Sequence, residues 1–199
     1  MTPETRKTAS TVPSEAKREA EACGIPGVEA ASVVLQEKAL LQVGDNQVLV
    51  NLKGVDANYT KVSGVAAHLV SGKFETGTRD FPLLVLGAGV ESALNILSDR
   101  NLMPLSIYLP KRSQGLQVDW MSAIQIDTAQ TAATFIIQQD FDDQYALTSF
   151  DFMQRALQLD ANQVTAVEVK TAALVSASSI RAALQTVLGN QVQIGRAHV

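Results

Sequence analysis

Apolar and polar residues alternate along two neighbouring stretches near the start of the chain. Residues 28–43 are rich in Val and Leu, and residues 48–52 resume the alternation after Gly44-Asp45-Asn46. A period of two is typical of strands with one buried face, and Gly, Asp and Asn favour tight turns. The pattern therefore predicts a β-hairpin over this part of the chain.

The same reasoning divides the rest of the sequence into short strands and a few helices. Alternating or continuous apolar runs between turn residues predict strands, and apolar positions at helical spacing predict helices. A short helix or turn is expected at 59–65, and an acidic turn at 140–143. The predicted strands are 82–86, 105–109, 123–126, 134–137, 164–169 and 192–194, and the predicted helices are 14–22, 90–97, 151–159 and 176–188.

This order of elements predicts an α+β fold with two lobes. Helices and strands at both chain ends would pair into one split α+β lobe, formed by residues 1–77 and 148–199. Residues 78–147 would form an inserted, mainly-β lobe. The polar stretch 75–80 has no apolar periodicity and marks the first expected boundary.

The most informative stretch is Lys53-Gly54-Val55-Asp56, which follows the second predicted strand. It is interpreted as a strand that ends in a turn. Gly54 can adopt backbone angles that other residues avoid, and the Asp56 side chain can cap the element that follows.

Composition and charge exclude several classes of function. The 199 residues are 46% hydrophobic and 18% charged, an ordinary globular balance, and the formal net charge is −4. An acidic chain without a basic patch argues against nucleic acid as a partner. Cys23 is the only cysteine, so no disulfide framework forms within the chain. No apolar run reaches the roughly 20 residues of a membrane helix, so the sequence as given is expected to be soluble.

One strand-to-helix turn could suggest an enzyme. Gly87-Ala88-Gly89 follows the predicted strand 82–86, as in folds that hold a dinucleotide phosphate at a helix N-terminus. However, Ser92 occupies the place of the third glycine, and no repeated strand-helix units follow. A nucleotide-binding enzyme is kept as the alternative, beside a tight turn in which Gly87 is needed for steric reasons.

Metal sites find little support in the sequence. His68 and His198 have no ligand spacing to each other or to Cys23. The acidic turn at 140–143 lacks the terminal glutamate of a calcium loop. No metal and no other cofactor is therefore expected.

The connector at residues 110–122 combines cations, a glycine and the only tryptophan of the chain. Trp and Met are frequent anchors at protein interfaces, although a lone Trp can also pack beneath a loop. Both interpretations stay open. As a partner-binding loop, its candidate residues are Lys111, Arg112, Gln114, Leu116, Val118, Trp120 and Met121.

Four stretches in this order resemble the MacB-like periplasmic core domain of FtsX-like ABC transporter permeases, which also occurs in lipoprotein-releasing (LolC/LolE-type) permeases. They are residues 25–30, the Lys53-Gly54-Val55-Asp56 turn, residues 84–97, and residues 136–145 followed by 164–169. The family's usual glycine-aspartate pair is replaced here by residues 99–104. The resemblance covers roughly residues 14–194.

The resemblance implies a non-catalytic periplasmic domain that lies between two membrane helices of a Gram-negative inner-membrane protein. It implies a cytoplasmic ATP-binding subunit and a partner permease as partners, reached through membrane helices that this sequence does not contain. It further implies lipoprotein or other amphiphilic cargo and a periplasmic carrier. By position, residues 110–122 match the loop that engages the carrier in lipoprotein-releasing members.

Overall fold

The computed structural model describes residues 25–97, 104–111, 124–160, 163–172, 178–180 and 182–183, and its architecture is mixed α/β with strands dominating. The described strands are β1 (Val28–Val43), β2 (Asn46–Val55), β3 (Leu69–Gly72), β4 (Leu83–Gly87), β5 (Leu105–Pro110), β6 (Ile124–Phe135), β7 (Tyr145–Ser149) and β8 (Ala166–Thr171). The described helices are α1 (Tyr59–Val62), α2 (Ala88–Leu94), α3 (Gln139–Asp142) and α4 (Phe150–Ala156), with a 3-10 turn at Val65–His68.

Six of these strands close into a hydrogen-bonded ring. The order around the ring is β1, β2, β7, β4, β6, β5 and back to β1. Two neighbouring pairs are parallel, β2 with β7 and β4 with β6, and the other pairs are antiparallel. β8 continues the sheet beside the first half of β1, and β3 pairs with the end of β6.

Alternation along the strands places a hydrophobic cluster on each face of this sheet. The larger cluster draws on all six ring strands and is completed by side chains of α2 and α4, such as Val90 and Phe152. The smaller cluster includes Tyr59, Val85 and Phe135 and also takes side chains from α1, α3 and the 3-10 turn. The strand members of the larger cluster include Leu35, Leu41, Val50, Leu52, Leu84, Leu86, Leu105, Ile107, Leu109, Ala129 and Ala146.

Several predicted elements are confirmed with shifted bounds. The hairpin forms with Val43 paired to Asn46, and Gly44 in its turn has a φ of 57°, which glycine adopts without steric cost. The strands predicted at 82–86, 105–109 and 164–169 correspond to β4, β5 and β8. The helices predicted at 90–97 and 151–159 correspond to α2 and α4.

Two predictions about strands are wrong. Residues 123–126 and 134–137 were expected to form two strands, but β6 runs unbroken from Ile124 to Phe135. Its middle lacks large apolar residues, and the ladders to β5 and β4 hold it extended. β7 was not predicted at all, because five residues that are largely buried on both faces carry no alternating signal.

The division into lobes at 1–77 with 148–199 and at 78–147 stays a prediction. Strands from both segments contribute to the ring, and a hydrogen-bonded sheet can bend between two bodies. The predicted elements 14–22 and 192–194 lie outside the described residues.

Candidate functional site

The end of β2 carries a lysine that is almost fully buried. Lys53 is 5% exposed, and its Nζ lies 2.6 Å from Oε1 of Glu168 on β8. The same ammonium donates a hydrogen bond of 3.1 Å to the hydroxyl of Tyr59 and lies 5.1 Å from the centre of that ring. β2 and β8 lie on opposite sides of β1. The ion pair therefore joins three strands and helix α1 at one place.

The environment of Lys53 keeps its ammonium charged. Burial by itself would lower the pKa of Lys53, since water no longer solvates the charge. The phenolic oxygen of Tyr59 and the carboxylate of Glu168 act in the opposite direction by charge and by hydrogen bonding. Their effect is larger, so the pKa of Lys53 is raised above its ordinary value of 10.5.

Asp56 forms the turn that the sequence predicts, and it also reaches β1. Its Oδ1 accepts a hydrogen bond of 3.1 Å from the backbone N–H of Asn58 and one of 2.6 Å from the hydroxyl of Ser32. Ser32 is fully buried and pairs with Glu168 in the ladder between β1 and β8. Lys53, Asp56, Tyr59, Ser32 and Glu168 thus form one polar cluster, called the junction below.

Gly54 has a different role from the one expected. β2 continues through Gly54 to Val55, and Gly54 is not among the glycines with positive φ. A Cβ atom at this position would lie 2.5 Å from Cγ of Met153 on α4. The prediction of a turn glycine is wrong here: the absence of a side chain lets α4 pack directly against β2.

Gly87 does lie at a strand-to-helix turn, between β4 and α2, but another part of the chain covers that turn. A Cβ atom at Gly87 would collide with the backbone of Asp142, and one at Gly89 with the carboxylate of Asp143. The acidic segment 139–142 is a single helical turn, α3, and its last residue and Asp143 lie directly against Gly87 and Gly89. The backbone of Asp142 fills the space beside Gly87, and the carboxylate of Asp143 would repel a pyrophosphate, so the geometry does not support the nucleotide-binding alternative.

The predicted partner-binding loop falls almost entirely outside the described residues. Lys111 is described and half-buried, while Arg112, Gln114, Leu116, Val118, Trp120 and Met121 are not described. The described strands bring the two ends of this segment together, because Pro110 pairs with Ile124.

No group of three or more His, Cys, Asp or Glu side chains within the described ranges could hold a metal ion. Among the helices that the structure describes, none has both the length and the apolar character needed to cross a membrane.

The first and last of the described strands, β1 and β8, run antiparallel to each other. Val28 pairs with Thr171, and the backbone N–H of Ala172 donates to the carbonyl of Gly27 over 2.9 Å. Beyond them, Ile25 and Ile180 pack together. The point where the chain leaves β8 therefore lies beside the point where it enters β1. Sequence reasoning missed this closure and the Lys53–Glu168 pair, although a lysine in an apolar strand and a glutamate in an alternating one are visible signals.

Comparison with known proteins gives matches at the level of the fold. No family model matches this chain, and no curated protein matches it. Among solved structures, the periplasmic region of MacB from Actinobacillus actinomycetemcomitans is similar with a TM-score of 0.59 and 11% identity, over 90% of this chain and 73% of that chain.

Two further structures share the fold. The extracellular domain of the noncanonic ABC-type transporter YknZ from Gram-positive bacteria is similar with a TM-score of 0.57 and 12% identity, over 91% of this chain and 84% of that chain. A domain of a protein assigned as a permease in Porphyromonas gingivalis gives a TM-score of 0.55 and 15% identity, over 91% and 79% of the two chains. The fold of this chain is thus the fold of extracytoplasmic domains of ABC transporter permeases.

Proposed function

We propose that this chain is the extracytoplasmic domain of an ABC transporter permease, inserted between two membrane helices. The observation that carries the proposal is the antiparallel pairing of β1 with β8, which places Val28 beside Thr171. A domain inserted between two membrane helices must return the chain close to its starting point, and this pairing meets that need. The similarity to the MacB and YknZ domains supports the same assignment.

In this proposal the domain is not catalytic and transmits motion between the membrane helices and a bound partner. The junction suits that role, because Lys53 and Glu168 connect β8, the last strand that the structure describes, to the ring through a buried ion pair. A displacement of β8 would therefore move β2 and α1 as well. ATP hydrolysis belongs to a cytoplasmic ATP-binding subunit, which acts together with this permease and a partner permease.

The cargo proposed is a lipoprotein or another amphiphilic molecule, with a carrier that binds residues 110–122. Pro110 and Ile124 bring both ends of this segment to the end of the β5–β6 hairpin, which supports a loop that projects from the ring. The residues proposed for contact are Lys111, Arg112, Gln114, Leu116, Val118, Trp120 and Met121. Because the neighbours include an extracellular domain from Gram-positive bacteria and a periplasmic region, the Gram-negative assignment stays a prediction.

The test uses the full-length permease with its ATP-binding subunit in lipid nanodiscs. Deletion of residues 114–118 is expected to abolish carrier binding while ATP hydrolysis continues, since the loop is remote from the nucleotide. Unchanged binding would contradict the loop assignment. A full-length gene product without membrane helices on either side of this domain would contradict the permease assignment itself.

The enzyme alternative has its own test. Titration of the isolated chain with reduced nicotinamide cofactor, followed by fluorescence, is expected to show no saturable binding, because Asp142 and Asp143 cover the Gly87 turn. Saturable binding would restore the enzyme.

A further inference from the structure

A tight turn before β4 presents an aromatic side chain to solvent. Phe81 is 81% exposed, far more than a large apolar side chain usually is. The turn is closed by a hydrogen bond of 2.9 Å from the N–H of Thr78 to the carbonyl of Phe81 and by a bridge between Gly77 and Pro82. Phe81 also donates its own N–H to the hydroxyl of Thr78 over 3.3 Å.

This turn, residues 77–82, is also fixed from outside. The hydroxyl of Ser149 donates to the carbonyl of Thr78 over 3.3 Å. Arg155 on α4 donates to the carbonyl of Arg79 over 3.1 Å and pairs with Asp127 on β6 at 3.0 Å. The backbone that carries Phe81 is therefore held in place before any partner arrives, which lowers the entropy cost of binding through this turn.

Further apolar side chains are exposed on the strand beside this turn. β6 runs alongside β4, with Gln130 paired to Leu83 and its N–H directed to the carbonyl of Pro82. Towards its start, β6 exposes Ile124 and Ile126. The turn and this strand end, which the pairing of Leu83 with Gln130 brings alongside each other, are together called the Phe81 surface below.

The charges on the turn are not equivalent. The carboxylate of Asp80 lies 3.9 Å from Nε of Arg155, so it faces a cation. The guanidinium of Arg79 is exposed and has no side-chain partner within the described part of the chain. The Phe81 surface thus offers one available positive charge beside its apolar anchor.

We propose that the Phe81 surface docks a partner protein that has an apolar pocket with a carboxylate at its rim. Aromatic side chains in central pockets provide much of the affinity of protein interfaces, and Arg suits bidentate pairing with a carboxylate. A membrane is the poorer occupant, since adsorption to anionic lipid requires several cations and this chain carries a net charge of −4. The proposal holds whether or not the chain is a transporter domain.

The test places the photo-crosslinker p-benzoylphenylalanine at position 81 of the full-length protein in the cells that produce it. The matched control carries the crosslinker at position 49, because Leu49 is also exposed, at 61%, but lies on β2. Position 81 is expected to give one product with a protein, in which the linked peptide contains apolar residues and an Asp or Glu. Arg79→Glu is expected to lower the yield by about tenfold, as loss of an ion pair at an interface does.

Charge reversal in the partner completes the test. Changing the acidic residue next to the crosslink to Lys should restore the yield in the Arg79→Glu protein, and Phe81→Ala should weaken binding of the purified partner by about 30-fold. Leu49→Ala should leave that affinity unchanged. Equal yields at positions 81 and 49, products with lipid or with a second copy of this chain alone, or indifference to Arg79→Glu would each overturn the proposal.

Discussion

Replacement of Lys53 by Met should destabilise the chain far more than removal of an exposed lysine. Lys53→Met keeps the length of the side chain and removes the ammonium, which leaves the carboxylate of Glu168 without its partner at 2.6 Å. The two side chains are only 6% and 14% exposed, so water replaces little of the lost interaction. Tyr59 loses its donor at the same time.

The size of the effect follows from this geometry. At 2.6 Å and an effective dielectric constant of about 20, the attraction between two unit charges is about 6 kcal/mol before desolvation is subtracted. Desolvation offsets most of it, but removal of one partner leaves a buried charge alone, which costs about 3–5 kcal/mol. We expect Lys53→Met to lower the free energy of unfolding by that amount. The double variant Lys53→Met/Glu168→Leu should lose less than the two single variants together, since no charge is then left unpaired.

Urea denaturation followed by circular dichroism measures these free energies. The matched control is the pair of Lys170 with Glu29, whose atoms are 3.8 Å apart and whose side chains are 53% and 50% exposed. Lys170→Met should change the free energy of unfolding by less than about 1 kcal/mol. If Lys53→Met costs no more than Lys170→Met, or if the double variant loses the full sum of the two single variants, the buried ion pair does not stabilise the junction and the reasoning fails.

Three other expectations follow from the same contacts. The pKa of Lys53 is raised in the folded chain, so the stability that its charge contributes should be complete below the ordinary pKa of 10.5 and should fall as the pH rises through the higher folded pKa. Urea titrations from pH 9 to 12 should show this loss of stability in the wild type and not in Lys53→Met. Gly54→Ala should lower the free energy of unfolding by about 1–3 kcal/mol, because its methyl group meets Met153. Gly64→Ala, where the nearest side-chain atom is 3.8 Å away, should cost much less in the same assay, and equal costs would contradict the packing argument. Ser149→Ala should cost about 1 kcal/mol in thermal unfolding, because the hydroxyl caps α4 by accepting from the N–H of Phe152, and an unchanged melting temperature would contradict that role.

The sequence shows the residue types of the junction, but it does not show which of these residues contact each other. Asp56 was predicted to form a turn, and it does so by accepting from Asn58. Its second hydrogen bond, from the hydroxyl of Ser32, joins residues that are far apart in the chain, and no local sequence pattern predicts it. Gly54 was predicted to be a turn residue because glycine has a wide choice of backbone angles. In the structure a glycine is needed there because Met153 on α4 packs against it, and the sequence around Gly54 does not show where that later helix packs.

The sequence by itself determined the hairpin of β1 and β2, the strands β4, β5 and β8, and the helices α2 and α4, because periodicity and turn residues act locally. It also determined that the chain is acidic and has no long apolar run. Only the tertiary structure decided that six strands close into a ring, that β6 is one strand, and that Asp142 covers the Gly87 turn. The same holds for the Lys53–Glu168 pair and for the pairing of β1 with β8. These features depend on which distant segments pair, and pairing is selected by burial of the whole hydrophobic surface rather than by any one stretch of residues.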